Sequence, residues 1–167
     1  IQNGWRGGIL FVGGGAVPER RDQWTTDVIE ALMSRFHMSL DDDALSQVSF
    51  RTSLYPPNDP GQIEKRKRLG MNACEFDIQV MDPAYFKAIC PGRGDQQQWR
   101  EAQEAAAEVF GRGRGSVSNV ILGLEPMATL LEGIEERISK GVYSHPQPFI
   151  PWEGSAMEGM QGPSVEW

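Results

Sequence analysis

The run CEFDIQV at 74–80 alternates Cys74, Phe76, Ile78 and Val80 with Glu75, Asp77 and Gln79. In an extended strand successive side chains point to opposite faces, so two carboxylates and an amide share one side. Such a set suits acid–base work or the binding of hydroxyl groups. VSFRTSL at 48–54 likewise sets Ser49, Arg51 and Ser53 against Val48, Phe50, Thr52 and Leu54. Arg51, with Ser53 beside it, suits a carboxylate, because a guanidinium offers a planar fork of donors. VYSHPQPF at 142–149 puts Tyr143, His145, Gln147 and Phe149 on one face. His145 there reads as a substrate contact or proton donor, and equally as a hydrogen-bonded structural histidine.

Glycine and cysteine add less. Gly13, Gly14 and Gly15 stand where an apolar run, GILFVG, gives way to a helix-like segment. Consecutive glycines imply a close approach to something or a positive φ. No Gly-Lys-Ser/Thr follows and no G-x-G-x-x-G is completed, which argues against a phosphate loop. A tight turn between strand and helix explains the stretch as well. Cys74 and Cys90 do not have zinc or iron–sulfur spacing, nor do two cysteines make a disulfide framework. Cys74 reads as a small buried hydrophobe, and Cys90, beside Pro91, as a loop residue.

These residues need strands and helices to position them. Strand-like runs cover 8–13, 47–55, 73–81, 116–124 and 142–150. Helical periodicity covers 22–37, 60–69, 96–110 and 127–140, with Gly70, Gly111 and Gly141 as stops. Trp24, Val28, Ile29, Leu32, Met33 and Phe36 form one apolar stripe; Met127, Leu130, Leu131, Ile134 and Ile138 form another. DDDAL at 41–45 reads as a helix cap and first turn. Strand and helix alternate, which implies parallel strands joined by crossovers. Strands of a doubly wound sheet are apolar on both faces; here one face is polar. The expectation is an α/β fold, a partial (β/α) barrel with helices on the convex face only. It would span 1–150, followed by a C-terminal loop segment at 151–167.

A net charge of −7 and a pI near 4.9 exclude a general nucleic-acid or anionic-membrane binder. No apolar run is long enough to cross a bilayer, so a reducing cytoplasm is the expected setting. The chain starts at Ile1 and ends in GPSVEW, as a part of a longer polypeptide would.

The order of elements and the residues at their ends resemble the radical S-adenosylmethionine (SAM) superfamily, from the second to the sixth strand of its barrel. FVGGG at 11–15 resembles that family's Gly-Gly-Glu turn, with Gly15 in place of the glutamate. The resemblance implies that Gly13, Gly14 and Gly15 bind the amino group of SAM through backbone atoms. It implies that Asp77 and Gln79, with Arg51 and Ser53 on the neighbouring strand, bind the ribose and the methionyl carboxylate. NVILGLE at 119–125 resembles a Gly-x-Ile-x-Gly-x-x-Glu strand, and PFIP at 148–151 the end of the last strand. Ile121, Gly123, Phe149 and Ile150 would then contact the adenine.

The family's three-cysteine motif for a [4Fe–4S] cluster is absent from this sequence. The resemblance implies a part of a metal-binding enzyme whose cluster ligands lie outside the chain. The complete protein would cleave SAM reductively and use the 5′-deoxyadenosyl radical on a small-molecule or peptide substrate. A missing N-terminal part or a partner chain would cover the edge of the 8–13 strand. Two other readings stay open: a non-catalytic half-barrel partner subunit, and a barrel-type lyase working with Glu75, Asp77 and His145.

Overall fold

A computed structural model describes residues 7–14 and 17–164. In chain order the elements are β1 (Gly8–Gly13), α1 (Gln23–Ser39), α2 (Asp42–Ser46), β2 (Val48–Ser53), α3 (Gly61–Arg68) and β3 (Ala73–Glu75). They continue with α4 (Pro83–Ile89), α5 (Gln96–Phe110), β4 (Val117–Leu122), α6 (Met127–Ser139) and β5 (Tyr143–Pro148). Short 3-10 turns occupy Pro18–Arg20 and Pro91–Arg93.

The partial barrel expected from the sequence is not what forms. The strands make two small parallel sheets, β1-β2-β3 and β4-β5. The reason lies just past Glu75, where side chains take over part of the ladder. Ile78 N donates to Ser118 Oγ at 3.0 Å, and Asn119 N to Asp77 Oδ1 at 2.9 Å. At Gln79 the backbone has φ +66°, and Val80 N donates back to Ile78 O at 2.8 Å. A turn of that kind is rare and strained for a non-glycine residue. Among the described residues one bridge, Gln79 with Val120, joins the sheets, beside backbone hydrogen bonds from Cys74 N to Gly115 O, Phe76 N to Val117 O, Gln79 N to Asn119 O and Ile121 N to Gln79 O. The predicted strand 73–81 is therefore a three-residue strand followed by an irregular seam that backbone and side-chain hydrogen bonds share.

The apolar alternation still fixes the core. Phe76, Ile78 and Val80 are fully buried with Phe86, Trp99, Ala106 and Leu130. A second cluster joins Ile29 and Met33 of α1 to Val48 and Phe50 of β2. Helix α4 has no apolar periodicity to announce it; its signal is Asp82-Pro83. The Asp82 carboxylate accepts from Ala84 N and Tyr85 N, and proline occupies the first helical turn. The stripe expected on α6 is also corrected. Leu130 is buried, but Met127, Leu131 and Ile138 are exposed, and Arg137 turns inward to pair with Glu104 of α5 at 3.0 Å.

Opposite the helices, register places side chains of neighbouring strands on one face: Phe11 beside Arg51, Ser53 beside Glu75, and Asn119 beside His145. β1 is an edge strand among the described residues, with Ile9 and Phe11 about half exposed.

Candidate functional site

A line of polar side chains crosses that face. Ser53 Oγ donates to Asp77 Oδ2 at 2.7 Å. Asp77 Oδ1 accepts from both the backbone N and the side-chain Nδ2 of Asn119, each at 2.9 Å. Asn119 Oδ1 in turn lies 3.1 Å from His145 Nδ1 and accepts from Gln147 Nε2 at 3.2 Å. Strands supply every member except Asp77, which stands in the seam just past β3, and period-2 alternation aims the strand residues at one side. Asp77 thus binds the two sheets together. Three donors already fill its oxygens, which leaves little of the carboxylate for acid–base exchange.

Arg51 does meet a carboxylate, but one of its own chain. Its Nη1 is 3.3 Å from Glu75 Oε1, and its Nε donates to Ser49 Oγ at 3.3 Å. Burial pushes the Glu75 carboxyl up, and Arg51 opposes that shift. With Glu75 paired and Asp77 fully bonded, the set proposed for a lyase is engaged in holding strands together.

The glycine turn after β1 looks onto empty space. A hollow of about 230 Å³ opens there, walled by Val12, Gly13, Gly14, Trp24, Leu54 and Tyr55. A narrower cleft runs from Gly14 past Ser53 and Tyr55 to Asp77, Arg93 and Trp99. Gly13 and Gly14 do not have a positive φ. Among the described residues, a Cβ on Gly14 would first meet Leu54 Cδ2 at 3.5 Å, and one on Gly13 would meet Ser53 O at 3.9 Å. Nothing described in the chain requires glycine at either position. Gly15 lies outside the described residues.

Arg93 is the site residue that the sequence did not disclose. Its guanidinium donates to Asp77 O and lies 4.5 Å from the centre of the Trp99 ring. Its carbonyl accepts from Tyr55 OH at 2.7 Å and Trp99 Nε1 at 2.9 Å. Burial lowers the Arg93 pKa, and Asp77 opposes that shift. Asn119 was equally hidden, since its only signal is an amide beside Ser118 on a mostly apolar strand.

The far end of the site differs. Gly123 has φ +91°, and a Cβ there would lie 2.9 Å from Pro163. Glu125 accepts from Met81 N and Asp82 N, both at 2.7 Å, and burial pushes its carboxyl up. Ile121 and Phe149 are half-buried against the core, whereas Ile150 is 64% exposed. Gln79 contributes backbone, its N donating to Asn119 O and its O accepting from Ile121 N.

Among the described residues no group of three or more His, Cys, Asp or Glu side chains is placed to hold a metal. Nor is any described helix long and apolar enough to cross a membrane.

No family model matches the chain. It is 42% identical to the bacteriochlorophyllide c C-7(1)-hydroxylase of Chlorobaculum limnaeum, over 98% of this chain and 41% of that protein. The chain therefore spans well under half the length of this curated relative, which is an enzyme and, by name, a hydroxylase.

Proposed function

We propose that the chain is the cofactor-holding and cavity-lining part of a radical SAM hydroxylase acting on a bacteriochlorophyllide-type tetrapyrrole. The observation that carries the reading is the turn at Gly13–Gly14. It has ordinary backbone, room for side chains, and no described contact that demands glycine, yet it faces a hollow continuous with a polar cleft. Glycine there makes sense if a ligand must approach the backbone closely. The 42% identity to a tetrapyrrole hydroxylase supports the substrate class.

SAM would lie at this end of the molecule. Gly13 and Gly14 would take its ammonium on backbone oxygens. Arg93, rather than Arg51 with its Glu75 partner, would face its carboxylate. Ile121, Phe149 and Ile150 would lie along its base. Bound there and cleaved with an electron from the cluster held outside this chain, it would supply hydrogen-atom abstraction. The residues present do not fit the cluster. Cys74 is fully buried and Cys90 partly so, and two thiols cannot make a three-thiolate site. The cluster ligands belong to another part of the protein, as would the cover for the β1 edge.

Calorimetry of SAM with the full-length, cluster-loaded protein tests the reading. Gly14→Val fills the approach to the backbone with two methyl groups. Affinity should fall on the order of tenfold or more, about 1.4 kcal/mol for each factor of ten, while circular dichroism stays the same. Unchanged affinity in the folded variant would remove SAM from this turn.

A further inference from the structure

The polar line across the open face fixes the tautomer of one histidine. Asp77 Oδ1 accepts from Asn119 Nδ2, so the Asn119 amide presents its oxygen to β5. That oxygen already accepts from Gln147 Nε2, and an amide oxygen only accepts. The His145 Nδ1 that stands 3.1 Å from it therefore carries the ring proton. In the neutral ring the lone pair is then on Nε2. Among the described residues nothing hydrogen-bonds to it.

This is the arrangement by which proteins hold an imidazole ready for a metal. One ring nitrogen donates to a carbonyl, which sets the tautomer and the ring plane, and the other is offered as ligand. His145 is exposed on the face away from the helices. Tyr143 on its own strand and Ile9 and Phe11 on β1 add exposed apolar surface to that face. The described residues supply no cluster of side chains to complete a coordination sphere there. A metal bound at this imidazole would therefore be one that brings most of its ligands with it.

We propose that His145 Nε2 is the axial ligand to the central magnesium of the tetrapyrrole substrate, with Asn119 and Asp77 as positioning residues. The inference rests on the substrate class proposed above. In a magnesium tetrapyrrole four ring nitrogens hold the ion and leave an axial position open. A neutral imidazole filling it would seat the macrocycle flat over the strands. It would also fix which ring edge faces the SAM proposed for the cleft beside the glycine turn.

The test uses the full-length protein with bacteriochlorophyllide c and its magnesium-free counterpart, bacteriopheophorbide c. His145→Ala should weaken the magnesium form on the order of tenfold or more and leave the magnesium-free form unchanged. Resonance Raman coordination bands should change from a nitrogen-ligated to a water-ligated pigment. In His145→Gly, added imidazole should restore both the band and the affinity. Asn119→Ala should weaken the magnesium form alone, which a merely structural role would not do. If His145→Ala weakens both pigments alike, or neither, the axial assignment is wrong while the substrate class stands. If wild type binds neither pigment, the substrate class fails and takes the inference with it.

Discussion

The turns after β1 and β4 occupy equivalent places at the ends of strands, and both are built on glycine. After β4 the chain explains every residue. Gly123 has a positive φ and no room for a side chain under Pro163, and both Glu125 oxygens are bonded to backbone N–H groups. After β1 it explains little. Gly13 and Gly14 have ordinary backbone and open space in front of them. A glycine that the fold needs and a glycine that the fold merely tolerates look alike in a sequence. The difference shows which turn is structural and which is left open for a ligand.

The largest effect should come from breaking the structural turn. Gly123→Val puts a branched side chain at φ +91° and drives it into Pro163. Strain and overpacking together should cost roughly 3 kcal/mol or more, read as a lowered urea midpoint of the full-length protein. A loss below 1 kcal/mol would show that this turn is as permissive as the other.

Next is Glu125→Gln. A carboxylate accepts from both Met81 N and Asp82 N, but an amide has one oxygen and turns an N–H toward the second donor. One buried donor is left unpaired, at a cost of about 1–3 kcal/mol. Unfolding at neutral pH measures it. No change would mean that the turn after β4 is held by packing alone.

Between the two turns lies Glu75, whose carboxyl burial raises above the ordinary glutamate value of about 4.3. A raised folded-state pKa favours the protonated form in the native protein. Its contribution to stability is full below the ordinary value and is lost as pH rises through the raised one. Glu75→Gln does not titrate, so wild type should lose stability relative to this variant as pH rises across that window. A difference that stays flat, or grows the other way, would show that Arg51 outweighs burial and keeps Glu75 ionised throughout.

What the sequence made legible was whatever depends on alternation and capping. β1 was bounded correctly by GILFVG, and Cys74, Phe76, Ile78 and Val80 point into the core as alternation requires. The sheet topology was not legible. It turns on Asp77 and Ser118 replacing backbone partners across the seam, a choice that no periodicity records. Arg137 escaped for a related reason: an arginine on an apolar stripe is buried only because Glu104 arrives from another helix. The polar candidates were legible as a face, but their pairing was not. Arg51 finds Glu75, and Asp77 is consumed by Ser53 and Asn119, so the cleft beside the glycine turn falls to Arg93 from a distant loop.

The smallest expected effect on stability is also the sharpest test of the comparison. Gly14→Ala adds a methyl group where φ is not positive and the nearest described atom is 3.5 Å away, an ordinary contact. Alanine also has fewer conformations to lose on folding than glycine. Where the native backbone suits it, such a change stabilises by about 0.4–1 kcal/mol. Thermal unfolding of the full-length protein should therefore show Gly14→Ala as neutral or slightly more stable than wild type. The same methyl group stands where a ligand would approach the backbone, so SAM affinity should drop while stability does not. At Gly123 the same substitution should do the reverse, costing about 1–3 kcal/mol through its positive φ before any ligand is added. If Gly14→Ala instead destabilises as much as Gly123→Ala, the two turns are alike and the open one needs no ligand to account for it.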